Sequence, residues 1–174
     1  MHLSFQINCH NFHEFVDHWS SVYIYDDEEK YDSNIGKPLT EESLMALFEW
    51  KNGRLLSKKK LASIQENYPL RFTDDCQQRY LNHKQPGGAI WNIFYLHCLD
   101  PASWPIFDQH VFRAMKYIQT GSIVELGNTN KKKYWAYQIE YMPFIAGLTE
   151  FPQRTLDKAL FSFGQFLKKA EPYT

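Results

Sequence analysis

Apolar residues recur at three- and four-residue intervals along most of the chain, with turn-forming residues between the runs. This spacing is typical of amphipathic α-helices and not of strands. It predicts helices from Asn11 to Tyr25 (Phe12, Phe15, Val16, Trp19 and Val22 inward), from Thr40 to Asn52-Gly53 (Leu44, Leu47 and Phe48 inward), and after a Ser57 cap (Leu61 and Ile64 inward). Further helices are predicted from Thr73 or Asp74 to Leu81, Ala89 to Leu99, near Asp108 onward (Val111, Phe112 and Met115 inward), Lys132 to Ile145, and Leu156 to Lys169 (Leu156, Leu160, Phe163 and Leu167 inward). We therefore expect six to eight helices in one compact all-α domain over residues 1–174.

Three segments break the helical pattern. The alternation from His2 to Ile7 predicts a short strand or an extended arm. The acidic run from Asp26 to Asp32 is interpreted as a solvated loop, because runs of like charge are usually exposed. The segment from Gly121 to Asn130 is polar and contains glycine, which indicates a connection.

Composition places the chain among folded proteins and leaves nucleic acid open as a partner. Hydrophobic residues make up 44% and aromatic residues 17%, which excludes a disordered tail. The net charge is −1, but residues 25–50 carry eight acids and two bases, so the rest of the chain carries +5. Basic clusters lie at Lys51–Lys60 and at Lys131–Lys133. Local patches, and not total charge, bind phosphates.

The cysteine count and the absence of long apolar runs further narrow the classes of protein to which the chain could belong. Cys9, Cys76 and Cys98 are widely spaced and form no Cys-x-x-Cys pair, which argues against iron–sulfur or zinc sites. Three cysteines suggest free thiols in a reducing cytoplasm. No run approaches the roughly 20 apolar residues of a membrane helix, and Met1–Asn11 has no signal-peptide character. We expect a cytoplasmic monomer that needs no metal and no cofactor.

The most informative stretch runs from Gln85 to Met115. It opens with a Pro-Gly-Gly turn at Pro86, and the apolar run from Ala89 to Leu99 follows. Three residues then break the chain, namely Pro101, Ser103 and Pro105. A second helix is predicted to begin near Asp108. A tight glycine turn therefore leads into a buried helix, and the next helix starts with a carboxylate.

This order resembles the active-site region of the helix-hairpin-helix DNA glycosylases. Their pattern is Leu-Pro-Gly-x-Gly, a helix, a short break, and an Asp followed by a His-x-x-Arg-like segment. The matching residues here are Pro86, Gly87 and Gly88, then Asp108, His110, Val111 and Arg113. Pro86 and Asp108 are 22 residues apart, which is within about a residue of the family spacing, and the resemblance covers about 30 of the 174 residues. It implies two small helical lobes that contain both chain ends.

The sequence departs from the family pattern at two places. The glycines are adjacent, and Ala89 stands where the second would be, so the helix-hairpin-helix-like element is shortened or reshaped. Bifunctional members carry a lysine nucleophile a turn later, where this chain has Ile90 or Trp91. The alkyl-base glycosylases of the family carry Trp there. The resemblance therefore implies a monofunctional enzyme without a Schiff base or a lyase step.

Asp108 is the candidate catalytic residue. Breaking an N-glycosidic bond builds positive charge on the sugar, and a nearby carboxylate stabilises that charge and activates water. The alternative interpretation is an ordinary helix N-cap, because Asp is favoured there without catalysis.

The candidate DNA-binding residues are Lys84, Pro86, Gly87 and Gly88, together with Lys58, Lys59 and Lys60 at the next predicted helix start. Glycines let backbone N–H groups approach a phosphate, and lysines contact the backbone by charge. The alternatives are a plain loop turn and a solvated helix face.

The candidate substrate-binding residues are Trp91, Tyr95 and His110. The two aromatic rings are one helical turn apart and are the kind of wall that stacks on a flipped base. Core packing is the alternative for each ring. A structural salt bridge is the interpretation favoured for Arg113.

These residues predict a monofunctional DNA glycosylase that flips a modified or damaged base in double-stranded DNA. It would hydrolyse the N-glycosidic bond and leave an abasic site, either in repair or in defence against phage DNA with modified bases. Two alternatives stay open: a non-catalytic helical DNA-binding module and a helical protein-interaction domain. The sequence has no Gly-x-Ser-x-Gly elbow and no P-loop motif, which argues against serine hydrolases and nucleoside triphosphatases.

Overall fold

The computed structural model describes residues 9–71, 76–84 and 86–170, without the side chains of residues 76 and 77. Every regular element among these residues is helical, so the predicted all-α class is confirmed. The segment His2–Ile7 and the predicted helix start at Thr73 or Asp74 lie outside the described residues.

The helices follow one another along the chain with short connections. In order they are α1 Phe12–Ser21, α2 Glu28–Asp32, α3 Glu41–Asn52, α4 Lys58–Asn67, α5 Cys76–Tyr80, α6 Ala89–Leu99, α7 Gln109–Thr120, α8 Asn130–Trp135, a π-helical segment Ala136–Tyr141, α9 Met142–Ala146 and α10 Gln153–Ala170. The stretch 130–146 is continuous and, counted once, brings the described residues to nine helices, one more than predicted. Within the described ranges, no helix has both the length and the apolar character needed to cross a membrane.

The helix boundaries that rest on capping residues are confirmed. The Thr40 hydroxyl accepts a hydrogen bond from the Ser43 backbone N–H at 3.1 Å, at the start of α3. Gly53 ends that helix in the left-handed conformation, with φ of 66°. The Ser57 hydroxyl accepts from the Lys60 backbone N–H at 3.4 Å and caps α4. These caps form between residues three apart, which is why the sequence alone predicts them.

The loop predicted at Asp26–Asp32 is wrong, because α2 occupies Glu28–Asp32. Contacts with distant residues hold this short helix in place. Tyr31 is buried, its hydroxyl lies 2.8 Å from Nε2 of His97, and its ring packs against Trp50 at 4.4 Å between centroids. The acidic composition of the segment did not reveal this helix, because the buried Tyr31 fixes it through contacts with residues that are distant in sequence.

Two further predictions are corrected in detail. α1 ends at Ser21, four residues earlier than predicted, and Val22 is 46% exposed instead of inward. The helix predicted over Lys132–Ile145 exists, but it contains the π-helical segment Ala136–Tyr141, which shifts the residues that follow it around the helix axis.

The chain divides into two compact units. The central unit is Tyr25–Ile106, and the terminal unit is formed by the residues up to Ile24 and from Phe107 onward. The expectation of a single domain over residues 1–174 stays a prediction. The central unit has an aromatic-rich core of Tyr31, Leu44, Leu47, Phe48, Trp50, Leu56, Ile64, Tyr68, Tyr80, Phe94, Tyr95, Leu96, Cys98 and Ile106.

The terminal unit is organised around α10, which packs against both α1 and α7. All four predicted inward residues of α10 are buried, as are the three predicted for α7. The two helices approach closely at Gly164, where an added Cβ would lie 2.0 Å from the His110 carbonyl oxygen. Glycine at this position therefore sets the distance between α10 and the start of α7.

Candidate functional site

The turn before α6 depends on glycine for two reasons. Gly87 has φ of +88°, in the left-handed region that side chains with a Cβ rarely adopt. A Cβ on Gly87 would also lie 2.9 Å from Asn92 Oδ1 and 3.0 Å from the Tyr68 hydroxyl oxygen. Gly88 follows as the residue before α6 and makes no side-chain cap. Glycine at position 87 is therefore required by the shape of this turn.

A buried amide and a tyrosine brace the turn. The Tyr68 hydroxyl donates to Asn92 Oδ1 at 2.7 Å, and Asn92 Nδ2 donates to the Pro86 carbonyl at 3.3 Å. The Asn92 side chain is fully buried, and a buried amide is costly unless it is hydrogen-bonded. Sequence reasoning missed both residues. The available signal was an asparagine inside the otherwise apolar run Ala89–Leu99.

A pocket of about 130 Å³ lies beside this turn within the central unit. Its lining residues are Phe48, Lys60, Ser63, Ile64, Tyr68, Gly87, Gly88 and Trp91. The rings of Phe48 and Trp91 stack at 5.4 Å between centroids and 14° between planes. An apolar cavity of about 150 Å³ holds one benzene ring, so this pocket has the size of a single flat ring. It brings four predicted site residues together: Lys60, Gly87, Gly88 and Trp91.

The three lysines of α4 differ in their surroundings. Lys60 lies over the Trp91 ring, with Nζ 5.4 Å from the centroid, and it donates to Asn52 Oδ1 at 2.7 Å. Lys58 and Lys59 are exposed and do not line the pocket. All three occupy the first turn of α4, where the helix dipole disfavours cations by about 0.3–1 kcal/mol each. Helix stability therefore does not explain their position.

Lys84 and Tyr95, which were also predicted in this region, do not line the pocket. Lys84 is exposed in the loop before the turn, where its backbone N–H donates to Asn82 Oδ1 at 3.0 Å. Tyr95 has no exposed surface, its hydroxyl donates to the Pro69 carbonyl, and its ring packs against those of Tyr68 and Tyr80. The packing interpretation describes Tyr95, because its ring has no surface on which a base can stack.

Asp108 stands at the start of α7 in the terminal unit. Its Oδ1 accepts hydrogen bonds from the backbone N–H groups of His110 at 2.7 Å and Val111 at 3.2 Å. The side chain is half-buried. The N-cap interpretation is therefore correct as geometry. The two N–H groups and the helix dipole stabilise a negative charge on Asp108, which is the form of the carboxylate that a chemical role would use.

His110 and Arg113 form a polar cluster behind that cap. Arg113 is 1% exposed and pairs bidentately with Glu125, through Nε to Oε1 at 2.7 Å and Nη2 to Oε2 at 2.9 Å. Its Nη1 donates to the Gly164 carbonyl at 2.9 Å and lies 3.2 Å from His110 Nδ1. The salt bridge predicted for Arg113 exists, and its partner is Glu125, which the sequence did not reveal.

The buried surroundings of the cluster alter two pKa values. Burial lowers the pKa of His110, and the nearby Arg113 charge adds to this, while Asp108 opposes it. Burial raises the pKa of Tyr141 well above its ordinary value, and the carboxylates of Asp157 and Asp108 add to the shift. Both directions favour neutral side chains, so the principal charges here are Asp108 and the Arg113–Glu125 pair.

No family model, curated protein or solved structure matches the chain. Among the described residues, no group of three or more His, Cys, Asp or Glu side chains could hold a metal ion.

Proposed function

We propose that this protein is a monofunctional DNA glycosylase that acts on a modified or damaged base in double-stranded DNA. The observation that carries the proposal is the Asp108 carboxylate directly before α7, which follows the Pro86 turn and the helix α6 in the predicted order. The bounds of α6 agree with the predicted ones, and α7 begins one residue after Asp108.

The proposed chemistry uses the charge of Asp108. As the bond between the sugar C1′ and the base breaks, the bonding electrons leave with the base and positive charge develops on the sugar. A carboxylate close to this charge lowers the barrier and orients or deprotonates the attacking water. Water oxygen bonds to C1′, and the departing base takes up a proton. The product is an abasic site.

The lack of an amine at the two positions matched to the family's lysine nucleophile supports hydrolysis without a lyase step. Ile90 and Trp91 occupy the two positions where a lysine nucleophile would be expected from the resemblance. Trp91 lines the pocket instead and stacks on Phe48. Neither side chain can form a Schiff base with the sugar.

DNA contacts are proposed for Lys58, Lys59 and Lys60, and for the Pro86–Gly88 turn. The lysines lie where the helix dipole disfavours cations, which supports a role in binding anions. Lys60 and the turn also line the same pocket, so a phosphate contact and a ring contact can occur side by side there.

One observation favours a second candidate, a non-catalytic helical DNA-binding module. The two cap hydrogen bonds of Asp108 would account for this residue if it had no chemical role. The lysines and the pocket would then bind DNA without excision.

The test is incubation of the protein with duplexes that each carry one modified base, and with phage DNAs that carry modified bases, followed by alkali. The expected result is strand breaks that require alkali and, with borohydride, no trapped protein–DNA adduct. Breaks in the damaged duplexes or in the phage DNAs would separate repair from defence. Binding without breaks on any substrate would favour the second candidate, and a trapped adduct would contradict the hydrolytic mechanism.

A further inference from the structure

The outer face of the helix that begins at Asn130 carries two large exposed apolar side chains. Trp135 is 56% exposed and Ile139 is 58% exposed, and they are among the few large apolar side chains with this much exposure. The opposite face is buried through Tyr134, Ala136 and Tyr137. The helix therefore has a well-packed inner side and an outer side on which two exposed apolar side chains lie one turn apart.

Two lysines lie on that same outer face. Lys131 and Lys132 are exposed, and they precede Trp135 by four and three residues, so the three side chains are neighbours on the helix surface. Gln138 and Ile139 continue the exposed face one turn further on. We call Lys131, Lys132, Trp135, Gln138 and Ile139 the α8 face.

The charge of the α8 face is positive and is not cancelled within its helix. Glu140 is the nearest acid in this helix, and it forms an ion pair with Lys116 at 2.6 Å, on a largely buried side. Lys131 and Lys132 show no ion pair with a carboxylate among the described residues. A partner that binds this face must therefore carry negative charge and offer a flat apolar surface.

We propose that the α8 face is a DNA-contact surface separate from the α4 lysines, in which Lys131 and Lys132 contact backbone phosphates and Trp135 packs against a base beside Ile139. DNA offers the matching chemistry, because its phosphates are anionic and an unstacked base has an apolar face. Proteins that deform DNA commonly insert apolar side chains at such places. The inference rests on the proposed function for the identity of the partner.

The π-helical segment fits this role in one respect. It widens the helix directly after Trp135, and such segments are frequent at functional sites. Ile139 lies within it and is exposed on the outer side, while Tyr137 and Tyr141 of the same segment are buried. The irregular turn therefore coincides with the exposed apolar residues.

The test is DNA affinity measured over a range of salt concentrations, with a short duplex that carries one non-cleavable abasic-site analogue. Trp135→Ala should weaken binding about five- to a hundred-fold with an unchanged salt slope, because stacking releases no counterions. Lys131→Gln with Lys132→Gln should reduce the salt slope by up to about 1.8, or about 0.9 per phosphate contact. Trp135→Phe keeps a flat ring and should retain most of the affinity.

Matched controls come from the same unit. Ile24→Ala removes an exposed apolar side chain, and Lys169→Gln removes one exposed charge at the end of α10. Both should leave affinity and slope close to those of the unaltered protein. Melting temperatures of all variants would reveal a loss of fold, and none is expected, because every altered side chain is exposed.

The outcomes separate this proposal from the proposed function. Unchanged DNA affinity in Trp135→Ala, together with base excision by the unaltered protein, would overturn the proposal that the α8 face contacts DNA. The proposed glycosylase activity would then still stand. Weakened DNA binding in these variants, with no excision of any substrate by the unaltered protein, would support DNA contact by the α8 face and contradict the proposed glycosylase activity. If Trp135→Ala instead abolishes self-association in sedimentation and leaves DNA affinity unchanged, the face is a contact between copies of this chain, and the proposal is wrong.

Discussion

The two helix starts that carry the candidate chemistry are built on different principles. The turn before α6 is held by shape: Gly87 takes a left-handed conformation, and the neutral side chains of Asn92 and Tyr68 fill the space around it. The start of α7 is stabilised by charged groups: Asp108 accepts hydrogen bonds from two backbone N–H groups, and the Arg113–Glu125 ion pair lies behind it. Changes at the turn should therefore affect fold and binding, whereas changes at Asp108 should affect chemistry.

The largest effect on activity is expected for Asp108→Asn. We expect base excision to fall at least about a hundred-fold, because removing one such electrostatic contribution typically costs several kcal/mol of barrier. Stability should change little, because Asn caps helices about as well as Asp and only the charge–dipole contribution disappears. Excision rate and melting temperature should be measured on the same preparation.

A matched control for Asp108→Asn is Asp100→Asn in the central unit. Asp100 is also a carboxylate that accepts a backbone N–H, from Ser103 at 3.2 Å. Its replacement should leave excision unchanged. Retained excision in Asp108→Asn, or a loss explained by unfolding, would make Asp108 a structural cap and remove the main support for a glycosylase.

The next effect concerns the shape of the turn. Gly87→Ala should destabilise the protein by about 1–3 kcal/mol, since an Ala Cβ is strained at positive φ and meets Asn92 and Tyr68. This corresponds to a fall in melting temperature of roughly 2–10 °C for a chain of this size. DNA affinity should fall as well.

Gly36→Ala is the control that isolates the neighbours of the turn. Gly36 also has positive φ, +72°, but a Cβ there would meet nothing within 4 Å. Gly36→Ala should lose only the stability that the backbone strain costs, and its DNA affinity should be normal. Equal losses of stability in the two variants would mean that Asn92 and Tyr68 do not constrain Gly87.

A smaller effect is expected at the start of α4. Reversing the charges of Lys58 and Lys59 together should weaken DNA binding and flatten its dependence on salt, by up to about 0.9 in slope for each phosphate that a lysine no longer neutralises. Anisotropy titrations at several salt concentrations measure this. The same reversal at the exposed Lys37 and Lys169 changes total charge equally and should leave the slope close to normal. An unchanged slope in the α4 variant would mean that the DNA lies elsewhere.

The smallest effect is a pH dependence at the charged helix start. The folded-state pKa of His110 is lowered by burial, so below its unfolded pKa of about 6.5 the unfolded chain binds more protons. Stability should therefore rise with pH through the interval below about 6.5 and then level off for this group. Denaturation midpoints at several pH values measure this rise.

His110→Gln should reduce the rise in stability over that pH interval, compared with the unaltered protein. His83→Gln, which alters an exposed histidine of the central unit, should leave the profile unchanged. An identical profile in His110→Gln would show that other groups cause the pH dependence.

Local features of the sequence determined much of the fold. Thr40, Ser57 and Asp108 mark helix starts because each side chain bonds a backbone N–H two or three residues later. The buried stripes of α7 and α10 follow from helical periodicity. Both kinds of signal act within a few residues, and they can therefore be read without knowledge of the rest of the chain.

The grouping of residues into candidate sites depends on contacts between helices that are distant in sequence. The pocket joins Phe48, Lys60, Tyr68, Gly87 and Trp91, which come from four segments of the central unit. The choice of Glu125 by Arg113 and the burial of Tyr31 also depend on residues from 12 to 66 positions away. Periodicity predicts that a side chain faces inward, as for Val111 and Met115, but it does not predict which residues that side chain will contact. Only the packing of helices from distant parts of the chain separates a core ring from a ring that lines a pocket.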